Sequence, residues 1–237
     1  MRLVNLLALA PFLAFAGDIT TTNPTAGEIV QRLLAMDQRR ADMLRGYVAE
    51  RRYIAENPKF SKRAEVEVQE LFAPPDRKEL KIISEEGSTL VRRRAIDKLI
   101  EAELDAVRDE NRDQTRVTPR NYGFSIAGTE QIDGHDCFVL EVTPLSVKKY
   151  LMRGRIWVDK DDFAIVRMEG SPAKNPSIWT RKVRFVRQYE KHGPFWLPAS
   201  VESESEIVIA GKSTLKIEYS DYRIEARGEL RAASAEQ

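Results

Sequence analysis

The chain has 237 residues, with 38 Lys+Arg against 37 Asp+Glu, and is 32% charged and 42% hydrophobic. These proportions describe one folded domain of fair size and exclude extensive disorder, a collagen-like chain or a multi-span membrane protein. A net charge of +1 supplies no basic field for nucleic acid, and two histidines with one cysteine leave little for a His/Cys metal site and nothing for an internal disulfide.

Residues 1–16, MRLVNLLALAPFLAFA, carry Arg2 as their only charge and close on Ala14-Phe15-Ala16. That small-x-small ending is the cleavage pattern of a secretory signal peptide. The stretch is also shorter than the roughly 20 apolar residues of a comfortable membrane span. The expected product is periplasmic, soluble and not lipidated, because no cysteine lies at the cleavage region. Loss of Arg2 would leave the charges balanced, 37 against 37. Cys137 would then be unpaired in an oxidising compartment, and its place in Cys137-Phe138-Val139-Leu140 favours burial.

The Thr-rich segment 17–25 is expected to be mobile. Thr25 with Glu28 has capping-box spacing, and Ile29, Leu33, Leu34 and Met36 continue a helical pattern to about Met43. The period changes at Leu44, with Gly46 supporting a boundary, and strand-like runs follow at short intervals. Arg63 to Phe72 alternates, with Val66, Val68 and Phe72 opposite Glu65, Glu67 and Gln69. Pro74-Pro75-Asp76 turns the chain, and Leu80 and Ile82 share a face in the return strand. Tyr122, Phe124 and Ile126 share another. Asp133-Gly134 is a hairpin signal, since a type I′ turn needs φ > 0 at both positions. Further strands are read from Tyr150 to Asp159, Phe163 to Glu169, Thr180 to Tyr189, Trp196 to Ile209 and Lys212 to Ile224. The exception is Arg92 to about Arg112, where Ile96, Leu99, Ile100, Leu104 and Val107 form one helical stripe and the charges cancel. The expected fold is α+β, a single domain built on a large curled antiparallel sheet of about ten strands.

Motifs with catalytic spacing fail on context. Gly211-Lys212-Ser213-Thr214 bridges two strands, where a phosphate loop needs strand-to-helix. Ser171-Pro172-Ala173-Lys174 reads as a loop, where S-x-x-K must open a helix. On a strand, His135 and Cys137 share a face that excludes Asp136. Asp159, Asp161 and Asp162 lack the glycine and downstream glutamate of a calcium loop. Arg92-Arg93-Arg94 is balanced by neighbouring acids. No catalytic residues, metal or cofactor are therefore expected.

The second half carries more specific text. Gly154-Arg155-Ile156-Trp157-Val158-Asp159 followed by Phe163-Ala164-Ile165-Val166-Arg167-Met168-Glu169 resembles the paired-strand block of the LolA-like family. Phe195-Trp196-Leu197-Pro198-Ala199-Ser200-Val201, leading into Ile217-Glu218-Tyr219-Ser220-Asp221-Tyr222, is similar to its closing strands. That family includes periplasmic outer-membrane lipoprotein carriers, LolB-type receptors and RseB/MucB regulators. The resemblance implies an unclosed β-barrel wrapped around an N-terminal helix and a lid or plug helix, with an apolar cavity for acyl chains. It covers a domain over 26–225, with a tail at 226–237. After Glu85-Glu86-Gly87 this chain enters an arginine-rich helix where the carriers have an aromatic strand.

The implied function is a non-enzymatic periplasmic carrier or binder of lipid or lipoprotein acyl chains, in lipoprotein sorting or envelope lipid trafficking. The alternative is an RseB-type regulatory module. The expected partners are acyl chains and an inner- or outer-membrane protein, with no nucleic acid, and the chain is expected to be a monomer. The candidate cavity residues are Val66, Val68, Phe72, Leu80, Ile82, Phe124, Ile126, Ile156, Val183, Phe185, Leu197 and Val201, with Ile96, Leu99, Ile100 and Leu104 from the helix. The same apolar stripes would equally fill a dry core, and alternation alone does not say which sheet face lines a cavity.

Overall fold

The computed structural model describes residues 23–227 apart from 76, 109, 110, 112, 114, 178 and 179. The expected signal peptide, the first part of the 17–25 segment and most of the C-terminal tail lie outside the described residues. Thr25 opens helix α1 (Ala26–Met43) with a full capping box. Its hydroxyl accepts from the Glu28 amide, and Glu28 Oε2 accepts from the Thr25 amide at 2.7 Å, so two donors that the helix cannot satisfy find partners. Strand β1 (Leu44–Asn57) follows without a loop. Gly46 lies inside β1 against the backbone of Phe72, and does not mark a boundary.

The remaining strands are β2 (Lys62–Ala73), β3 (Arg77–Gly87), β4 (Tyr122–Ile132), β5 (His135–Pro144), β6 (Met152–Asp159), β7 (Ile165–Pro172), β8 (Thr180–His192), β9 (Phe195–Ile207) and β10 (Gly211–Ala226). They form one antiparallel sheet in the order β3-β2-β1-β10-β9-β8-β7-β6-β5-β4. The sheet is thus two meanders, β1–β3 and β4–β10, joined where β1 pairs with β10. It stays unclosed, with β3 and β4 as its edges. Asp133 and Gly134 take φ of 50° and 86° between β4 and β5, as their turn type requires. Ser171 and Pro172 close β7 and so belong to a strand, and Gly211 to Thr214 open β10.

This topology explains the second helical region. The chain must pass from one edge, β3, to the other, β4, and it does so across the inner face of the curled sheet. The crossing is a continuous run of α2 (Thr89–Val91), a π-helical turn (Arg92–Ile96) and α3 (Asp97–Ala106). It starts before the predicted Arg92, and α3 ends at Ala106; Asn111, Asp113 and Thr115 are again helical, while the predicted end at Arg112 lies outside the described residues. Gly87, at φ 84°, launches it: a Cβ there would lie 2.3 Å from the Arg63 carbonyl oxygen. The next amide, Ser88, donates to that same oxygen at 2.7 Å.

The two helical regions divide the inner face. Ile29, Val30 and Leu33 of α1 are buried against Tyr122, Leu140, Val142, Ile156, Val158 and Met168 of β4–β7. Ile96 of the crossing run is buried against Tyr53, Val66, Val68 and Ile217 of β1, β2 and β10. Each fully buried aliphatic side chain contributes about 1.5–3 kcal/mol. Packing thus holds both elements, since most helical stability in proteins comes from burying an amphipathic face.

Candidate functional site

The site is the inner face beneath the crossing run. Period-2 alternation turns Ala64, Val66, Val68 and Glu70 of β2 inward, beside Arg51, Tyr53 and Ala55 of β1. Leu215, Ile217 and Tyr219 of β10 continue the row. Val91, Ala95, Leu99 and Ile100 press on this surface from the helical side. The π turn sits at its centre, and such turns are rare and frequent at functional sites. Arg92 within it pairs with Glu85 of β3.

At one end of the apolar patch lies a cluster of charges. Arg51 is fully buried, and its Nη1 donates to Glu70 Oε2 at 3.1 Å. Its Nη2 reaches Glu103 of α3 at 2.8 Å and donates to the Tyr219 hydroxyl at 3.1 Å. The guanidinium is sandwiched between the rings of Tyr53 and Tyr219, 4.8 and 4.6 Å from their centroids. Lys78 of β3 completes the set, 3.0 Å from Glu70 and 3.4 Å from Glu103, and the Tyr47 hydroxyl donates to Glu70. Arg51 and Lys78 thus face two carboxylates, and Arg187 of β8 adds a third positive charge toward Glu103. An unpaired buried charge costs several kcal/mol, so each member depends on the others.

Burial disfavours the Glu103 carboxylate, but Arg51 and Lys78 outweigh it and hold its pKa below the ordinary 4.5. Burial raises the Tyr219 hydroxyl to about 12, so it remains neutral. The sign of the linkage follows. A carboxyl with a depressed folded pKa contributes stability above its unfolded value, and that stability is lost as pH falls through the folded value. Amide exchange in Asp97–Ala106 is therefore expected to quicken as pH drops below about 4.5, after correction for intrinsic rates, while β5 and β6 stay protected. In Glu103→Gln that pH dependence should weaken, with Asp105 still contributing, since bonds from Tyr150 and Lys149 hold its carboxyl below the usual range. A helix equally protected at pH 3 and pH 6 would contradict the assignment.

The other groups singled out by chemistry lie elsewhere. Cys137 is buried with Val139, Trp157 and Val166 in a separate cluster, and burial pushes its thiol up to about 12, far from a reactive thiolate. His135 Nδ1 is 3.0 Å from Asp159 Oδ2. The other oxygen of Asp159 accepts from the amides of Asp161 and Asp162, so this carboxylate shapes the hairpin turn. A groove of about 560 Å³ is lined by Ile54, Glu56, Glu202, Glu204 and Lys216. These alternate with the inward residues, which places the groove mainly on the outer face.

Of the residues named from sequence, Val66, Val68, Leu80, Ile96, Leu99, Ile100 and Val201 come together beneath the crossing run. Phe124, Ile156 and Phe185 join the cluster around α1. Phe72 packs on the ring of Tyr47, with centroids 5.2 Å apart. Leu197 is buried and Leu104 and Val183 half-buried, all three outside those two clusters, while Ile82 and Ile126 are exposed. Sequence reasoning missed Arg51, Glu70, Lys78 and Glu103. The usable signal was a charge in an inward register: Arg51 falls in step with Ala49, Tyr53 and Ala55.

A family model described only as uncharacterized-protein-like matches residues 108–230, the stretch that holds β4 to β10. No curated protein matches the chain. Among solved structures, a DUF1329 family protein from Desulfovibrio piger is 16% identical, with a TM-score of 0.44 and coverage of 86% of this chain and 94% of that one. A LolA superfamily protein from Nitrosomonas europaea is 12% identical, with a TM-score of 0.39 and coverage of 86% and 94%. An outer membrane lipoprotein-sorting protein domain from Vibrio parahaemolyticus is 15% identical, with a TM-score of 0.41 and coverage of 86% and 95%. The likeness to LolA superfamily and lipoprotein-sorting structures spans most of the chain, and the family model spans more than half of it. The chain belongs to the uncharacterized-protein-like family that this model defines.

Proposed function

We propose that the chain is a non-enzymatic carrier or binder of lipid or lipoprotein acyl chains in the bacterial envelope, with Thr89–Ala106 as the movable cover of its binding face. One observation carries this reading. The cover is held on an unclosed sheet by a single apolar stripe, Ile96, Leu99 and Ile100, and by the ion pairs that anchor it, of Glu103 with Arg51 and Lys78 and of Arg92 with Glu85. An acyl chain laid on Val66, Val68, Leu80 and Val201 would replace that stripe with equivalent apolar surface, gaining about 0.8 kcal/mol per buried CH₂. The expected signal peptide supports a periplasmic setting, and the resemblance of the β6–β7 strand block to the carriers supports the cargo class.

The test is extraction and mass spectrometry of the natively purified protein, followed by uptake of a fluorescent fatty acid by the delipidated form. Co-purifying acyl lipid is expected, together with faster uptake by Glu103→Gln, which loosens the anchor. Repeated absence of lipid with no uptake would overturn the carrier reading. Capture of a specific membrane protein in its place would favour a regulatory module.

A further inference from the structure

Antiparallel connectivity places the turns 58–61, 116–121, 145–151, 173–177 and 208–210 on one end of the sheet, where the crossing run also begins after Gly87. Among the described residues, the exposed large apolar ones outside the strands gather on this rim: Phe60 (51% exposed), Leu90 (58%), Leu145 (63%), Val147 (74%), Val208 (45%) and Ile209 (68%), with Met43 at the opposite end. The turns 58–61, 145–151 and 173–177 contain Lys59, Lys148, Lys149 and Lys174 and no acid, with Lys149 paired to Asp105 of α3 at 3.0 Å. Lys62 and Lys212 flank the rim at the starts of β2 and β10 and are exposed.

The rim is tied together. Buried Asn57 donates to the Ala210 carbonyl at 3.0 Å and to the Ser213 hydroxyl at 2.7 Å. Lys59 donates to the Ile209 carbonyl at 2.8 Å, and the Leu145 amide donates to the Asn121 carbonyl at 2.8 Å. These apolar tips are therefore held outward on braced turns.

We propose that this rim docks on an anionic lipid bilayer, with the apolar tips entering the headgroup boundary and the lysines meeting lipid phosphates. Interfacial binding scales with buried apolar area plus attraction to anionic lipid, and the rim offers both together. A protein partner of standard size would need about 800 Å² of complementary surface on each side. Projecting turn tips separated by lysines match a fluid surface better than such a patch. The inference does not rest on the carrier reading, because docking is measured without cargo.

Cosedimentation of the processed, secreted protein with vesicles tests it. One set contains phosphatidylglycerol with phosphatidylethanolamine, the other phosphatidylcholine alone. Binding to the anionic set is expected to be about tenfold or more tighter and to weaken with salt. Val147→Ser/Ile209→Ser should lose about tenfold in binding, Lys62→Glu/Lys148→Glu should lose at least as much, and Met43→Ser at the opposite end should change nothing. Circular dichroism checks that each variant is folded, and the charge pair keeps the test alive if the apolar pair is not. Absence of binding by the unmodified protein, or unchanged binding by the folded variants, would overturn the proposal. So would retention by native membranes that vanishes after protease treatment, without binding to protein-free vesicles, because it would assign the rim to a protein.

Discussion

Replacing Arg51 with methionine is expected to lower stability by about 3–5 kcal/mol and the unfolding temperature by roughly 10 °C. Methionine fills similar space, so the loss is electrostatic: Glu70, 1% exposed, would keep its charge with only Lys78 and the Tyr47 hydroxyl to answer it. The sandwich between Tyr53 and Tyr219 would go too, along with the anchor to Glu103. Urea unfolding measures the effect. Arg51→Met/Glu70→Gln should cost less than the sum of the two single changes, since removing both charges leaves neither stranded. Strict additivity, or a single-variant loss below about 1 kcal/mol, would show a solvated arginine of surface type.

Gly154→Ala is expected to be comparably damaging, at about 3 kcal/mol or more, since overpacking a well-fitted core ordinarily costs 1–3 and here the obstacle is backbone. Gly154 of β6 lies opposite Gly170 of β7. A Cβ on Gly154 would sit 2.0 Å from the Glu169 carbonyl oxygen, and one on Gly170 would sit 2.2 Å from that of Arg153. Neither obstacle can swing aside as a side chain could, so the strands would have to part. Paired glycines of this kind mark a tight bend, and Phe185 on β8 lies next to Gly170 in the ladder. The double variant should cost less than twice the single one, because strands already parted accommodate the second methyl. A change within 0.5 kcal/mol, the range of ordinary surface substitutions, would mean that the approach is looser than the geometry states.

The crossing run connects these results. It is sequence-continuous with the β3 edge through Gly87, where only the smallest residue fits, and it meets the sheet through one apolar stripe and the ion pairs of Arg92 and Glu103. An element held by few contacts can exchange between positions without unfolding the ladder. The much larger set of strand pairings stays intact beneath it.

Local chemistry was enough to read α1 from Thr25 to Met43, because a capping box and a stripe at 3.6-residue spacing are both short-range signals. It was enough also for the Asp133–Gly134 hairpin and for the two-faced strands, where Val66 and Val68 turn away from Glu65 and Glu67. What tertiary structure decided is which faces meet. Arg51 and Tyr219 are 168 residues apart in sequence and Arg51 and Glu103 are 52 apart, and no local period encodes such pairings. Phe60, Val147 and Ile209, read singly, are ordinary exposed apolar residues. Only the alternating direction of ten antiparallel strands gathers their turns on one end. The sequence determined each strand's two faces through the period of its side chains; the curl of the sheet and the helix crossing from edge to edge chose which face became the interior.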